Sequence, residues 1–230
     1  MLVICNGMPR SASTWSFNVA TALLRADAAS VYGAYNEDVA QFLNSAEPPG
    51  RHLVLKCHSL DRAGRALAAS GAAKVLYTWR RLSDTVVSFM RMFNVDFEHA
   101  LAVTRDSLQL YEFHRRGGNA VILNYEEIVA GPLEAIRRID RYLALDSDSE
   151  VLTAVCAANA LDRMRERADA LDRRENQARL IRLERTAYDP ETLLNVKHIR
   201  DGGIGYGAPV LTPAQLAQVK AAAREYELVE

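Results

Sequence analysis

Leu2-Val3-Ile4-Cys5-Asn6-Gly7-Met8-Pro9-Arg10-Ser11-Ala12-Ser13-Thr14-Trp15 is the stretch on which the fold turns. Its first residues, Leu2–Cys5, form a short apolar run that reads as a buried strand. From residue 14 to 25 the pattern changes period: Trp15, Val19, Ala22 and Leu23 fall at i, i+4, i+7 and i+8, one stripe of a helix. A strand, a loop of small and hydroxyl residues and a helix in that order aim backbone N–H groups and a helix N-terminus at one spot. That arrangement holds anions, phosphate above all. Arg10, Ser11, Ser13 and Thr14 add side-chain donors there. The loop is not a Walker A motif, because G-x-x-x-x-G-K-[ST] is absent.

Outward from this unit the alternation repeats. Leu53–Leu55, Val75–Trp79 and Val121–Leu123 are further strand candidates, with another near Ser30–Gly33. Helix patterns cover 83–93, 96–114 and 132–144, the last opened by Gly131-Pro132. Such alternation predicts an α/β layered fold with a mostly parallel central sheet. The last third reads differently. From Val151 to about Arg185 the pattern is helical and charged, with Asp169/Arg173 and Glu175/Arg179 as i,i+4 pairs, a solvated helix pair or a lid. A glycine-dense loop, 201–207, and a closing helix after Thr212-Pro213 complete the chain. No repeat or linker divides it, and residues 1–230 read as a single domain with 161–207 as a lid and closing loop.

Composition narrows the function classes. The 230 residues are 49% hydrophobic and 25% charged, as in an ordinary globular protein. Twenty-eight basic against 29 acidic residues give a formal net charge of −1, which disfavours a general nucleic-acid binder but not a local basic site. Cys5, Cys57 and Cys156 are odd in number and have no metal-ligand spacing, so neither a disulfide framework nor a zinc site is expected, and a reducing, cytoplasmic setting fits. No apolar run reaches membrane-spanning length, and no basic segment precedes Leu2–Cys5 to make it a signal peptide.

A second informative segment is Tyr77-Thr78-Trp79-Arg80-Arg81-Leu82-Ser83-Asp84-Thr85-Val86-Val87-Ser88-Phe89. Here a strand ends in two arginines and a helix carries Ser88 two turns in. Ligands of open α/β sheets bind at the carboxyl ends of strands, so an arginine and a hydroxyl placed this way can grip a second phosphate.

Together the two segments resemble the sulfotransferases that use 3′-phosphoadenosine-5′-phosphosulfate (PAPS). Pro9 to Trp15 is similar to that family's 5′-phosphosulfate loop, and Tyr77 to Ser88 to its 3′-phosphate motif. Lys56-Cys57-His58 resembles the family's Lys-x-His, and Asn124-Tyr125-Glu126-Glu127 its Tyr-Glu segment. Arg200-Asp201-Gly202-x-x-Gly205 resembles its late glycine motif. The matches run in order from about residue 2 to residue 220. The chain departs from the pattern in four places: Arg10 for a lysine, Ala12 for a glycine, Asp201 for a lysine and Gly207 for a tryptophan.

The resemblance implies a P-loop-like three-layer α/β/α fold with a helical C-terminal third. It also implies sulfuryl transfer from PAPS, leaving 3′,5′-bisphosphoadenosine (PAP), to a hydroxyl or amine of a small-molecule acceptor. Arg10, Ser11, Ala12, Ser13, Thr14 and Trp15 would cradle the 5′-phosphosulfate, with Trp15 against the adenine. Arg80, Ser88, Arg200 and Gly202 would hold the 3′-phosphate, and Tyr125 would reach the adenine. Lys56 and Arg10 would steady the transferring group, and His58 would be the general base. Lys56 and His58 have the same parity on an extended strand, so both point to one face, and Cys57 points to the other. Tyr32, Tyr35 and Phe89 are candidates for the acceptor site.

No metal, nucleic acid or membrane partner is expected, and the oligomeric state is left open. Two other readings compete. One is a kinase or phosphotransferase on a similar scaffold, which would want a P-loop lysine and a magnesium-holding aspartate. The other is a nucleotide-binding module without chemistry.

Overall fold

The computed structural model describes residues 1–27, 30–45, 52–182, 187–196, 199 and 203–230. Its centre is a parallel five-stranded sheet in the order β2-β3-β1-β4-β5, with β1 Leu2–Gly7, β2 Val31–Tyr35, β3 His52–Cys57, β4 Lys74–Trp79 and β5 Ala120–Asn124. The expected strands are all present, each a residue or more longer than the apolar run that announced it. The P-loop-like, three-layer expectation holds as well.

Strand side chains alternate between two cores, and the helices divide accordingly. Ile4, Leu55, Val75 and Tyr77 face one core with Val39 and Phe42 of α2 (Val39–Ser45), Ala68 of α3 (Arg62–Ala69) and Val86 of α4 (Leu82–Phe93). Leu108 of α5 (Phe97–Gly117) lies on the same side. Val3, Cys5, Val54 and Leu76 face the other, with Phe17 and Leu23 of α1 (Ser13–Asp27). The rule behind this division is the right-handed crossover. From β1 the chain moves outward to β2 through α1, then reverses and crosses back through β3 to β4, so α1 and α4 cover opposite faces. Neighbouring strands β1 and β4 therefore send their loops apart, and a crevice opens between them at their carboxyl ends.

After β5 come α6 (Tyr125–Ala130) and α7 (Pro132–Leu143), and Ile136, Ile139 and Leu143 of α7 pack beside α1. The charged stretch is less helical than its i,i+4 pairs predict. Helices α8 (Ser149–Ala158) and α9 (Leu161–Ala170) form, but a 3₁₀ turn, Arg174–Arg179, and a short antiparallel pair, β6 Ile181–Arg182 with β7 Ala187–Tyr188, follow. The reason lies in what must be buried. Leu171, Leu180, Leu193 and Leu194 all join the α1-side core, and a continuous solvated helix could not deliver them there. Arg179 pairs not with Glu175 but with buried Asp189, at 2.7 Å. The last helix, α10 (Pro213–Glu225), starts from a capping box between Thr212 and Gln215, as its sequence predicts.

The tightest point of the sheet is the last pairing of β1 with β4, Gly7 opposite Thr78. A Cβ on Gly7 would lie 2.2 Å from Thr78 Oγ1 and 2.9 Å from its carbonyl oxygen. Gly7→Ala should therefore push the two strands apart and cost about 1–3 kcal/mol in urea denaturation. Gly117→Ala, where nothing lies within 4 Å, should be neutral or stabilising by up to about 1 kcal/mol.

Candidate active site

Residues 8–12 turn the chain from β1 into α1 across the crevice. Met8 N–H donates to Thr78 O at 2.9 Å, so the loop starts tied to β4. Ser11 Oγ is fully buried, 2.7 Å from Met8 O, 2.9 Å from Thr78 O and 2.8 Å from Thr78 Oγ1. Its hydroxyl thus shapes the loop, and the backbone is what Ser11 has left to offer a ligand. Arg10 and Ala12 both have positive φ, 70° and 76°. An alanine at φ 76° carries strain of about 1–2 kcal/mol that a glycine would avoid, and this is the backbone reason for the glycine that Ala12 replaces.

Helix α1 then begins at Ser13 with no acidic residue in its first turn. Its leading N–H groups and its positive dipole end point at the crevice with no carboxylate of that turn to balance them. Arg10 reaches over the opening, and its Nε donates to Ser88 Oγ at 2.9 Å. The two sequence segments therefore meet in space.

On the other wall, Arg80 is buried at the end of β4. Its Nη2 lies 3.2 Å from Asp84 Oδ2 and also donates to Gly203 O. The guanidinium lies over Tyr125 at 4.0 Å and Tyr206 at 5.2 Å, a stacked cation held by two rings. Arg80 Nε is buried without a partner among the described residues. An orphaned donor on a buried cation fits an anion entering the crevice. Asp84 and Ser88 are one helical turn apart, so the Arg80 and Arg10 contacts lie about 6 Å apart along α4.

Asp84 also holds the loop that follows. It accepts from Gly205 N–H at 2.8 Å and Gly207 N–H at 2.7 Å, and Tyr206 OH donates to its carbonyl oxygen at 3.2 Å. A Cβ on Gly207 would sit 2.2 Å from Ser83 O. Glycine at 207, in place of the tryptophan, is therefore the condition for this close approach to α4. Arg200, Asp201 and Gly202 lie outside the described residues, as do 183–186 within the charged stretch.

Lys56 and His58 come together as their parity predicts, with Nζ and Nε2 3.1 Å apart. His58 Nδ1 lies 2.8 Å from Gly7 O. A carbonyl only accepts, so Nδ1 carries the proton and Nε2 presents its lone pair to the Lys56 ammonium. Cys57 points the opposite way, into the other core. Lys56 sits opposite Tyr35 in the β2–β3 register, and its Nζ lies 5.0 Å from that ring. Burial pulls Lys56 down to about 8. Burial and the Lys56 charge hold His58 well below the ordinary histidine value, at about 4.

Other candidates are placed less centrally. Trp15 is buried in the α1-side core, its indole N–H donating to Asn159 O at 3.2 Å, and offers a ligand at most an edge. Tyr125 lies against Arg80. Tyr32 stacks on Phe42 with ring centroids 5.7 Å apart, and Phe89 on Phe93 and His99. Tyr32 and Tyr35 line a cavity of about 380 Å³ with Thr21, Arg25, Tyr188 and Leu193. Tyr35 joins that cavity to the Lys56–His58 pair, its ring 6.2 Å from His58. Two carboxylates were missed as site residues: Glu37, taken up below, and Asp84 in its role as the loop's anchor. A carboxylate four residues after a strand-end arginine was the available signal for Asp84. Among the described residues no cluster of metal-ligating side chains occurs, and no helix is long and apolar enough to cross a membrane.

No family model and no curated protein matches this sequence. Solved structures match it in shape. A mouse sulfotransferase, SULT7A1, complexed with PAP superposes with a TM-score of 0.70 at 16% identity, over 100% of this chain and 85% of its own. Retinol dehydratase, in complexes with PAP and either androsterone or retinol, matches with TM-scores of 0.65 and 0.64 at 15% identity, over 98% of this chain and 80% of its own. The chain has the sulfotransferase fold. In this chain the end of β1, the N-terminus of α1 and the Arg80 wall lie around one crevice, ringed by Arg10, Lys56 and Arg80.

Asp84→Asn removes the charge opposite Arg80 and leaves one side-chain oxygen to accept where two do now. It should cost about 3 kcal/mol of stability and speed amide hydrogen exchange at Gly205 and Gly207 more than in α5, as hydrogen-exchange mass spectrometry would read.

Proposed function

We propose that the chain is a PAPS-dependent sulfotransferase that sulfates a hydroxyl or amine of a small-molecule acceptor. The observation that carries this reading is the Lys56–His58 pair, fixed by Gly7 O, beside Arg10 and a helix N-terminus with no acidic residue in its first turn. PAPS supplies a sulfuryl group on a phosphate leaving group, and the fit lies in the donors. The α1 N–H groups, Arg10 and Lys56 suit the 5′-phosphosulfate. Arg80, with its orphaned Nε, and Ser88 suit the 3′-phosphate. PAP in the structures of similar fold supports the same reading.

The chemistry follows from the residues. An acceptor oxygen or nitrogen forms its bond to sulfur as the bond from sulfur to the bridging oxygen breaks, with the electron pair going to the departing phosphate. Lys56, Arg10 and the α1 dipole neutralise that growing charge, taking the role that magnesium has in phosphoryl transfer. His58 Nε2 accepts the acceptor's proton, which requires Lys56 to turn its ammonium from the imidazole to the donor. The acceptor enters past Tyr35, the residue shared by the cavity and the catalytic pair.

Calorimetric titration with PAP, AMP and ATP, magnesium omitted, tests the donor class. Selective PAP binding is expected, and Arg80→Ala should weaken PAP more than AMP. A preference for ATP with magnesium would overturn the reading in favour of a kinase. His58→Ala should lower kcat by about 10²–10⁴-fold with PAP affinity unchanged. If the protein binds PAP and no acceptor is ever sulfated, it is a binding module.

The pH profile is a separate test. His58 must be neutral to take a proton, and its value is depressed to about 4; Lys56 must be charged, and its value is depressed to about 8. For the donor, kcat/KM should therefore fall below the first and above the second, with a plateau between. An acid limb at the ordinary histidine value would show that His58 is not buried against Lys56 in solution.

A further inference from the structure

On the β2 side the last rung of β3 is Asn36 N–H to Lys56 O, 3.1 Å, and on the β1 side the ladder ends at the Asn6–Cys57 pair, one residue short of His58. Glu37 takes over at that point. Its Oε1 accepts from Tyr35 OH at 2.6 Å, and both oxygens accept from His58 N–H, at 3.1 and 3.0 Å. Its Oε2 also accepts from Ser59 N–H at 2.7 Å and Ser59 Oγ at 2.6 Å. Four donors from three residues converge on one side chain, and none of them is the imidazole ring.

The carboxylate is suited to stay ionised. Burial pushes it up, but the Ser59 and Tyr35 hydroxyls and the neighbouring His58 outweigh burial and hold it below the usual range. It is also the negative charge that faces Lys56 and His58 where Arg10 adds a further positive one.

We propose that Glu37 is a positioning residue: it clamps the His58–Ser59 backbone to the end of β2 and so fixes the imidazole between Gly7 O and Lys56 in a single tautomer. The clamp makes sense of an otherwise loose geometry. Only one ring nitrogen can meet a carbonyl while the other meets an ammonium, and a small shift of the backbone would lose both contacts at once. Its consequence for turnover rests on the sulfotransferase reading; its consequence for the imidazole does not.

Glutamine at 37 keeps the size and accepts at one oxygen, while its amide turns two N–H groups toward the Ser59 and His58 donors. Nitrogen-15 NMR of the imidazoles in nucleotide-free protein, with His58→Asn to assign the signal, reads the tautomer directly. His58 should be protonated at Nδ1 and unprotonated at Nε2, and Glu37→Gln should average the two. In turnover, Glu37→Gln should lower kcat by about tenfold to a hundredfold while KM for PAPS and the PAP Kd stay within about twofold. Ser59→Ala and Tyr35→Phe, which each remove one donor, should give smaller losses in the same direction, and they carry the test if Glu37→Gln does not fold. An unchanged single tautomer in the variants overturns the proposal. So does a loss of PAP affinity and melting temperature in step with kcat, which would mark a merely structural role. If the unsubstituted protein neither binds PAP nor turns over, the sulfotransferase reading fails, and the NMR comparison still decides the role of Glu37.

Discussion

Gly7 and Thr78 touch where β1 and β4 end, and the site is built outward from that contact. The backbone of β4 receives Met8 N–H, its threonine meets the Ser11 hydroxyl, and Gly7 O receives the His58 ring. One residue thus sets the spacing of two strands, the path of the loop into α1 and the orientation of the imidazole. A side chain at position 7 would disturb all three, since even a Cβ there would lie 2.2 Å from Thr78 Oγ1.

Electrostatics gives the crevice its direction. The chain is close to neutral overall, so its affinity for anions comes from placement, not from composition. Arg10 and Lys56, together with the start of α1, gather on one wall, and a buried arginine stacked on two tyrosines forms the other. Asp84 and Glu37 are the counterweights. Asp84 directs its oxygens chiefly at loop amides and Glu37 divides its own between backbone N–H groups and two hydroxyls, so both hold the frame as well as balancing charge.

Much of this was legible in the residues. Period changes gave the five strands and the longer helices of the first two-thirds, because the central strands are buried on both faces and those helices on one. Helices α2, α3 and α6 have too few turns to show a period and went unread. The parity of Lys56 and His58 needed only an extended backbone. The Arg80 to Ser88 spacing needed only a helix. What could not be read was tertiary in origin. The pairs Asp169/Arg173 and Glu175/Arg179 have helical spacing, yet burial of Leu171 and Leu180 decides the path there and breaks the helix. Tyr35 reads as an aromatic in the loop after a strand, and only the longer β2 and its register on β3 set it beside Lys56. Glu37 carries no motif at all, since apart from the Tyr35 hydroxyl two residues away its partners are the His58 and Ser59 backbone and the Ser59 hydroxyl, which come close only once the sheet exists.

Asp84 recognises its loop through the amides of Gly205 and Gly207, groups that every residue but proline possesses. Closing the crevice is therefore specified from both sides, by the Asp84 carboxylate on α4 and by the glycine at 207 that lets the loop come close enough to meet it. Ile204, exposed just ahead of these glycines, lies outside that requirement, so its side chain can be exchanged with the loop's tie to α4 intact.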